Sequence, residues 1–77
     1  MKRSIMIAGH ATSLSLEPEF WDELKRIAAA RGLSLSSLVA ELDEEREAKM
    51  LKDGKPINLS SHLRVSVLGW LKSGPRG

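Results

Sequence analysis

With 77 residues, no cysteine and a net charge of +2, the chain has room for one small domain and no disulfide or thiolate-metal staple. A hydrophobic fraction of 42% with 29% charged residues belongs to a folded chain, not a disordered one. A core of this size is marginal alone, so association of copies is the expected remedy.

The opening MKRSIMIAGHA has a basic start, but its apolar run, Ile5 to Ala8, is too short for a signal-peptide core. No stretch approaches the roughly 18 apolar residues of a membrane span. The expected location is therefore the cytoplasm, with no membrane partner. From Thr12 to Leu16 small polar residues alternate with Leu14 and Leu16, the period-2 pattern of a half-buried strand. A strand needs a partner for its backbone N–H and C=O groups. Ile5 and Ile7 share the odd parity of Ser13 and Ser15, whereas the two leucines lie on the other parity. Two solutions follow. A turn at Gly9-His10 allows a hairpin with Ser4 to Ala8 as the partner strand. Alternatively, two copies pair antiparallel near Ser13 about a two-fold axis. The second is preferred here, because it satisfies both edges and pools Leu14 and Leu16 with the helical faces of two chains.

Pro18 suits a first helical turn, and Glu17, Glu19, Asp22 and Glu23 place negative charge there. Phe20, Leu24, Ile27 and Ala28 then form one apolar face, and Trp21 beside it reads as a packing residue. Gly32 stops the helix, with Leu33 placed for the hydrophobic contact of a cap. Ser34 caps a second helix whose stripe is Leu35, Leu38, Val39 and Leu42. Glu45 and Lys49, four apart in the favourable order, allow its polar end to be helical. Lys52 to Pro56 carries turn chemistry. Asn58 or Ser60 caps a third helix with Leu59, Leu63, Val67, Trp70 and Leu71 on one face, ended by Gly74-Pro75. The fold class expected is mainly α with one N-terminal strand. The division expected is a core over 1–48, a linker over 49–57 and a C-terminal helix over 58–73 packed on the same domain.

Charge is uneven. Glu41, Asp43, Glu44, Glu45 and Glu47 stand against Arg46, whereas Lys49, Lys52, Lys55, Arg64, Lys72 and Arg76 face only Asp53. A solvated surface is the ordinary explanation; the functional one is that a basic tail, doubled in a dimer, holds phosphate. His10 and His62 have no metal-ligand spacing. Ser60, Ser61 and His62 read as a capped helix start and not a triad, and no glycine-rich phosphate loop occurs. The chain reads as a non-enzyme without metal or cofactor.

Taken in order, the strand SLSL, the Pro-started helix, Gly32-Leu33-Ser34 and the second helix with Leu38 resemble the ribbon-helix-helix family of Arc- and methionine-repressor-like DNA-binding proteins. The resemblance runs from about Ala11 to Glu45. Together with NLSSHLRVSVLGWL it points to a bacterial subgroup with an extra C-terminal helix. It implies an intertwined homodimer whose intermolecular two-stranded ribbon enters the major groove, and a regulator or repressor of transcription bound to double-stranded DNA. It further implies base contacts from the outward residues Ala11, Ser13 and Ser15. Phosphate contacts would come from Ser34, Leu35 and Ser36 at the second helix's N-terminus, and, by position near the chain start, from Lys2 and Arg3. The alternative is a protein-interaction module, or an antitoxin-type dimer, whose C-terminal helix binds a partner protein.

Overall fold

In a computed structural model of the chain, residues 2–7 and 9–73 are described. They form two strands followed by three helices: β1 (Lys2–Ile7), β2 (His10–Ser15), α1 (Pro18–Arg31), α2 (Leu35–Asp53) and α3 (Leu59–Ser73). The Gly74-Pro75 stop and Arg76 lie outside the described residues.

The strand's partner is supplied by the chain itself. β1 and β2 pair antiparallel as a two-stranded sheet, with Lys2 opposite Ser15, Ser4 opposite Ser13, Met6 opposite Ala11 and Ile7 opposite His10. Sequence reasoning preferred a single strand per chain, with a hairpin as the other solution; the chain carries two strands, and they form that hairpin. The two strands follow closely in the chain, β1 ending at Ile7 and β2 starting at His10. Closing so short a connection costs little entropy. Gly9 sits at φ +82°, a left-handed conformation that glycine tolerates without steric cost. The turn also resolves the parity conflict. It sets odd residues of β1 opposite even residues of β2, so Ile5, Ile7 and Leu14 share the buried face.

The helices follow their stripes. α1 starts with Pro18 in its first turn and ends at Gly32, φ +70°, where the Leu33 N–H donates to the Ala28 carbonyl at 2.8 Å. The α2 cap is the Ser34 hydroxyl, which accepts from the Ser37 N–H at 3.1 Å. α2 then runs through the first part of the expected linker to Asp53, and Gly54, φ +69°, ends it with its N–H on the Met50 carbonyl. The residues that read as a turn are thus a helix end and its glycine cap. Asn58, not Ser60, caps α3, its side-chain oxygen accepting from the Ser61 N–H at 3.2 Å. Arg46 fastens the connection. Its guanidinium donates to Asp43 at 2.8 and 3.0 Å and to the Ile57 carbonyl at 2.9 Å.

One core joins all five elements. Ile5, Ile7, Leu14 and Leu16 meet Trp21, Leu24, Ile27 and Ala28 of α1, Leu38, Val39 and Leu42 of α2, and Leu63 and Val67 of α3. Trp21, the bulkiest of them, is fully buried. Leu63 and Val67 turn one side of α3 to that core, while Val65, Leu68 and Leu71 remain on its outer side.

Candidate nucleic-acid interface

Successive side chains of a strand point to opposite faces, and here the two faces of the hairpin have opposite compositions. Facing the helices are Ile5, Ile7 and Leu14, all buried, with Arg3 and Thr12 half-buried. Facing away are Lys2, Ser4 and Met6 of β1 and Ala11, Ser13 and Ser15 of β2, all exposed. The outward set is small, hydroxyl-rich and free of carboxylates, and Lys2 forms no ion pair among the described residues.

Ala11, Ser13 and Ser15, anticipated from parity, therefore lie on one exposed strip. Lys2 lies beside Ser15 in the ribbon, not on a loose end. Arg3 points the other way, its guanidinium 5.4 Å from the centre of the Trp21 ring, a cation–π contact over the core. It is not brought to the outer strip. Sequence reasoning missed Ser4 and Met6. The signal was the two-residue spacing at Gly9, which fixes which parity of β1 shares the face of Ser13.

The second expected element, the first turn of α2, is formed by Leu35 and Ser36 behind the Ser34 cap. The Ser37 N–H is taken by Ser34, while helix geometry leaves the earlier N–H groups without intrahelical acceptors. Several arginines are already engaged within the fold. Arg64 donates to Glu17 at 3.0 Å and lies 6.0 Å from the Phe20 ring. Arg31 makes a bidentate pair with Glu41, whose carboxyl is held below its ordinary value by those hydrogen bonds. Arg64 thus links α3 to the start of α1.

Among the described residues no group of His, Cys, Asp and Glu is arranged to hold a metal ion. No helix among them is long and apolar enough to cross a membrane.

An extended N-terminal segment with an exposed polar face, followed by two helices joined at a glycine, is the element order that the resemblance led one to expect. Residues 1–71 match the ribbon-helix-helix domain. The chain belongs to the ribbon-helix-helix family. This ribbon-helix-helix chain is also similar to the solved structure of an uncharacterized protein from Bordetella pertussis Tohama I, at 37% sequence identity and a TM-score of 0.68. The likeness covers 88% of this chain and 52% of the other, so the present chain spans about half the length of that structure. No curated protein matches it. Members of the ribbon-helix-helix family are in general regulatory DNA-binding proteins that act as dimers, without enzymatic activity of their own.

Proposed function

We propose that this protein is a homodimeric DNA-binding regulator of transcription that lays the exposed face of its β-ribbon in the major groove of double-stranded DNA. The observation that carries this reading is the outward strip of Lys2, Ala11, Ser13 and Ser15, backed by a fully packed inner face. The major groove admits a two-stranded ribbon, and a serine hydroxyl both donates to and accepts from base edges. The first turn of α2, with Ser34, Leu35 and Ser36, holds a backbone phosphate through its N–H groups. Such contacts set register, while the ribbon reads sequence. The protein works in the cytoplasm as a repressor, with DNA and a second copy of itself as partners.

The experiment is a fluorescence-polarisation titration of the full chain against its own upstream DNA and against random duplex, each at two salt concentrations. Preference for the upstream DNA that survives random competitor supports a sequence-reading regulator. Equal, strongly salt-dependent binding to both reduces the reading to backbone attraction. No binding at low salt overturns it.

A further inference from the structure

We infer that the cleft between the turn end of the hairpin, the middle of α2 and the start of α3 binds a small aliphatic ammonium compound. Its charged head sits on Glu47 and Asp43, and its stem lies across Ile7 and Leu59. The site is on the helix-facing side of the hairpin, away from the outer strip, and does not depend on what that strip binds.

The cleft exists because the core stops short of it. Toward the turn, the inner face of β2 runs Leu14, Thr12, His10, so apolar gives way to polar. Along α2 the buried stripe ends at Leu42, and Asp43, Arg46 and Glu47 follow. These two polar runs line a cleft of about 420 Å³, with buried Ile7 and half-buried Leu59 as its apolar part. Small-molecule sites have volumes of that order and pair apolar walls with a few polar groups. At roughly 30 Å³ per water-sized group, there is room for about fourteen non-hydrogen atoms.

Charge selects the ligand class. Arg46 is already committed within the fold: Nε and Nη2 donate to Asp43 Oδ1 at 3.0 and 2.8 Å, and Nη1 to the Ile57 carbonyl at 2.9 Å. An anion would have to compete with bonds that hold the α2–α3 connection. The carboxylates are less engaged. Both Arg46 bonds to Asp43 fall on Oδ1, so Oδ2 accepts no hydrogen bond among the described residues. Glu47 is exposed and forms no ion pair among them. Asp43 and Glu47 are four residues apart, on one face of α2, and two carboxylates stand against one guanidinium in the lining. The cleft therefore favours a cation. A metal ion does not suit it, since among the described residues no three of His, Asp and Glu are grouped to hold one. An ammonium has three N–H donors and no acceptor, and Asp43 Oδ2, the Glu47 carboxylate and the Thr12 hydroxyl supply acceptors for it. Ile7 and Leu59 then call for an aliphatic stem behind the charge.

The test titrates the full chain with n-pentylamine, followed by amide chemical shifts at about pH 8. The amine is protonated there, as an alkyl ammonium such as that of lysine titrates near about 10.4. Saturable shifts are expected at Ile7, Thr12, Glu47 and Leu59 but not at Ser4 or Ser13. Pentan-1-ol, which keeps the stem without the charge, should bind at least about tenfold more weakly, and pentanoate should give no saturable shift. Glu47→Gln should weaken pentylammonium about tenfold, the worth of one charge-assisted hydrogen bond at an exposed group. Glu44→Gln, an exposed carboxylate of the same helix outside the cleft, should leave binding unchanged. Leu59→Ala should weaken it about threefold to fivefold through lost apolar contact. Equal weakening by Glu44→Gln and Glu47→Gln would mean general attraction to the acidic stretch of α2 and overturns the inference. So does pentanoate binding as tightly as pentylammonium, or the absence of any saturable shift at the highest soluble concentration of the amine.

Discussion

The two faces of the hairpin differ more than any two elements of the molecule. Ile5, Ile7 and Leu14 on one face are buried with the helices, while one residue away Ser4, Met6 and Ser13 stand in solvent. Buried and solvent-facing residues thus alternate along the same strands. The difference teaches that the outer face can be changed without loss of fold, and that β1 contributes to both faces. It closes the core with Ile5 and Ile7 and presents Ser4 and Met6 to solvent.

The largest effect should come from breaking the inner face where it is deepest. Trp21→Ala removes the bulkiest fully buried side chain, and chemical denaturation should show a loss of about 3–5 kcal/mol, a cost typical of large-to-small core substitutions. For a domain this small that approaches the whole of its stability. Ile5→Ala, on β1 itself, should cost about 2–5 kcal/mol by the same mechanism. It should also weaken DNA binding in proportion to the unfolded fraction. Ser34→Ala removes the α2 cap and should cost about 1 kcal/mol. Retention of full stability in that variant would show that the α2 start is held by packing instead.

A smaller effect depends on pH. His62 is buried, its Nε2 has no hydrogen-bond partner among the described residues, and burial holds its pKa below the ordinary value. Glu45 and Asp43 of α2 favour its charged form, and Lys49 and Arg46 of the same helix oppose it. Above pH 6.5 the imidazole is neutral folded and unfolded, so it adds no pH dependence. As pH falls below that value the unfolded chain takes up the proton first, and stability drops until the folded-state pKa is passed. Thermal melts of wild type and His62→Gln between pH 7.5 and 5 should therefore diverge, with the wild type losing more. The smallest effect is expected on the outer face. Ser4→Ala and Met6→Ala should alter stability by no more than about 0.5 kcal/mol, as exposed substitutions do. Such variants sharpen the comparison, since any change they make in DNA binding is then a change in recognition.

How far the fold was legible follows from the same alternation. β2 announced itself because Leu14 and Leu16 alternate with serines and the flanking residues carry no competing helical stripe. β1 was legible only in part, because KRSIMI mixes a basic start with three apolar residues and its parity conflicts with β2 until a two-residue turn is inserted. The helices were legible from their stripes and from Gly32, whose left-handed conformation ends α1. The end of α2 was not, since Lys52 to Pro56 has the composition of a turn and only the Gly54 cap shows where the turn begins. The burial of His62 was hidden by its place beside, not on, the stripe of Leu59, Leu63 and Val67. At the candidate site, Ala11, Ser13 and Ser15 were readable from one strand. Ser4 and Met6 required the register.

The most direct measurement is amide chemical-shift mapping of the full chain titrated with duplex DNA. The account predicts that perturbations concentrate on Lys2, Ser4, Met6, Ala11, Ser13 and Ser15, with a second group at Leu35 and Ser36. Perturbations confined to α3, or none at saturating duplex, would contradict it.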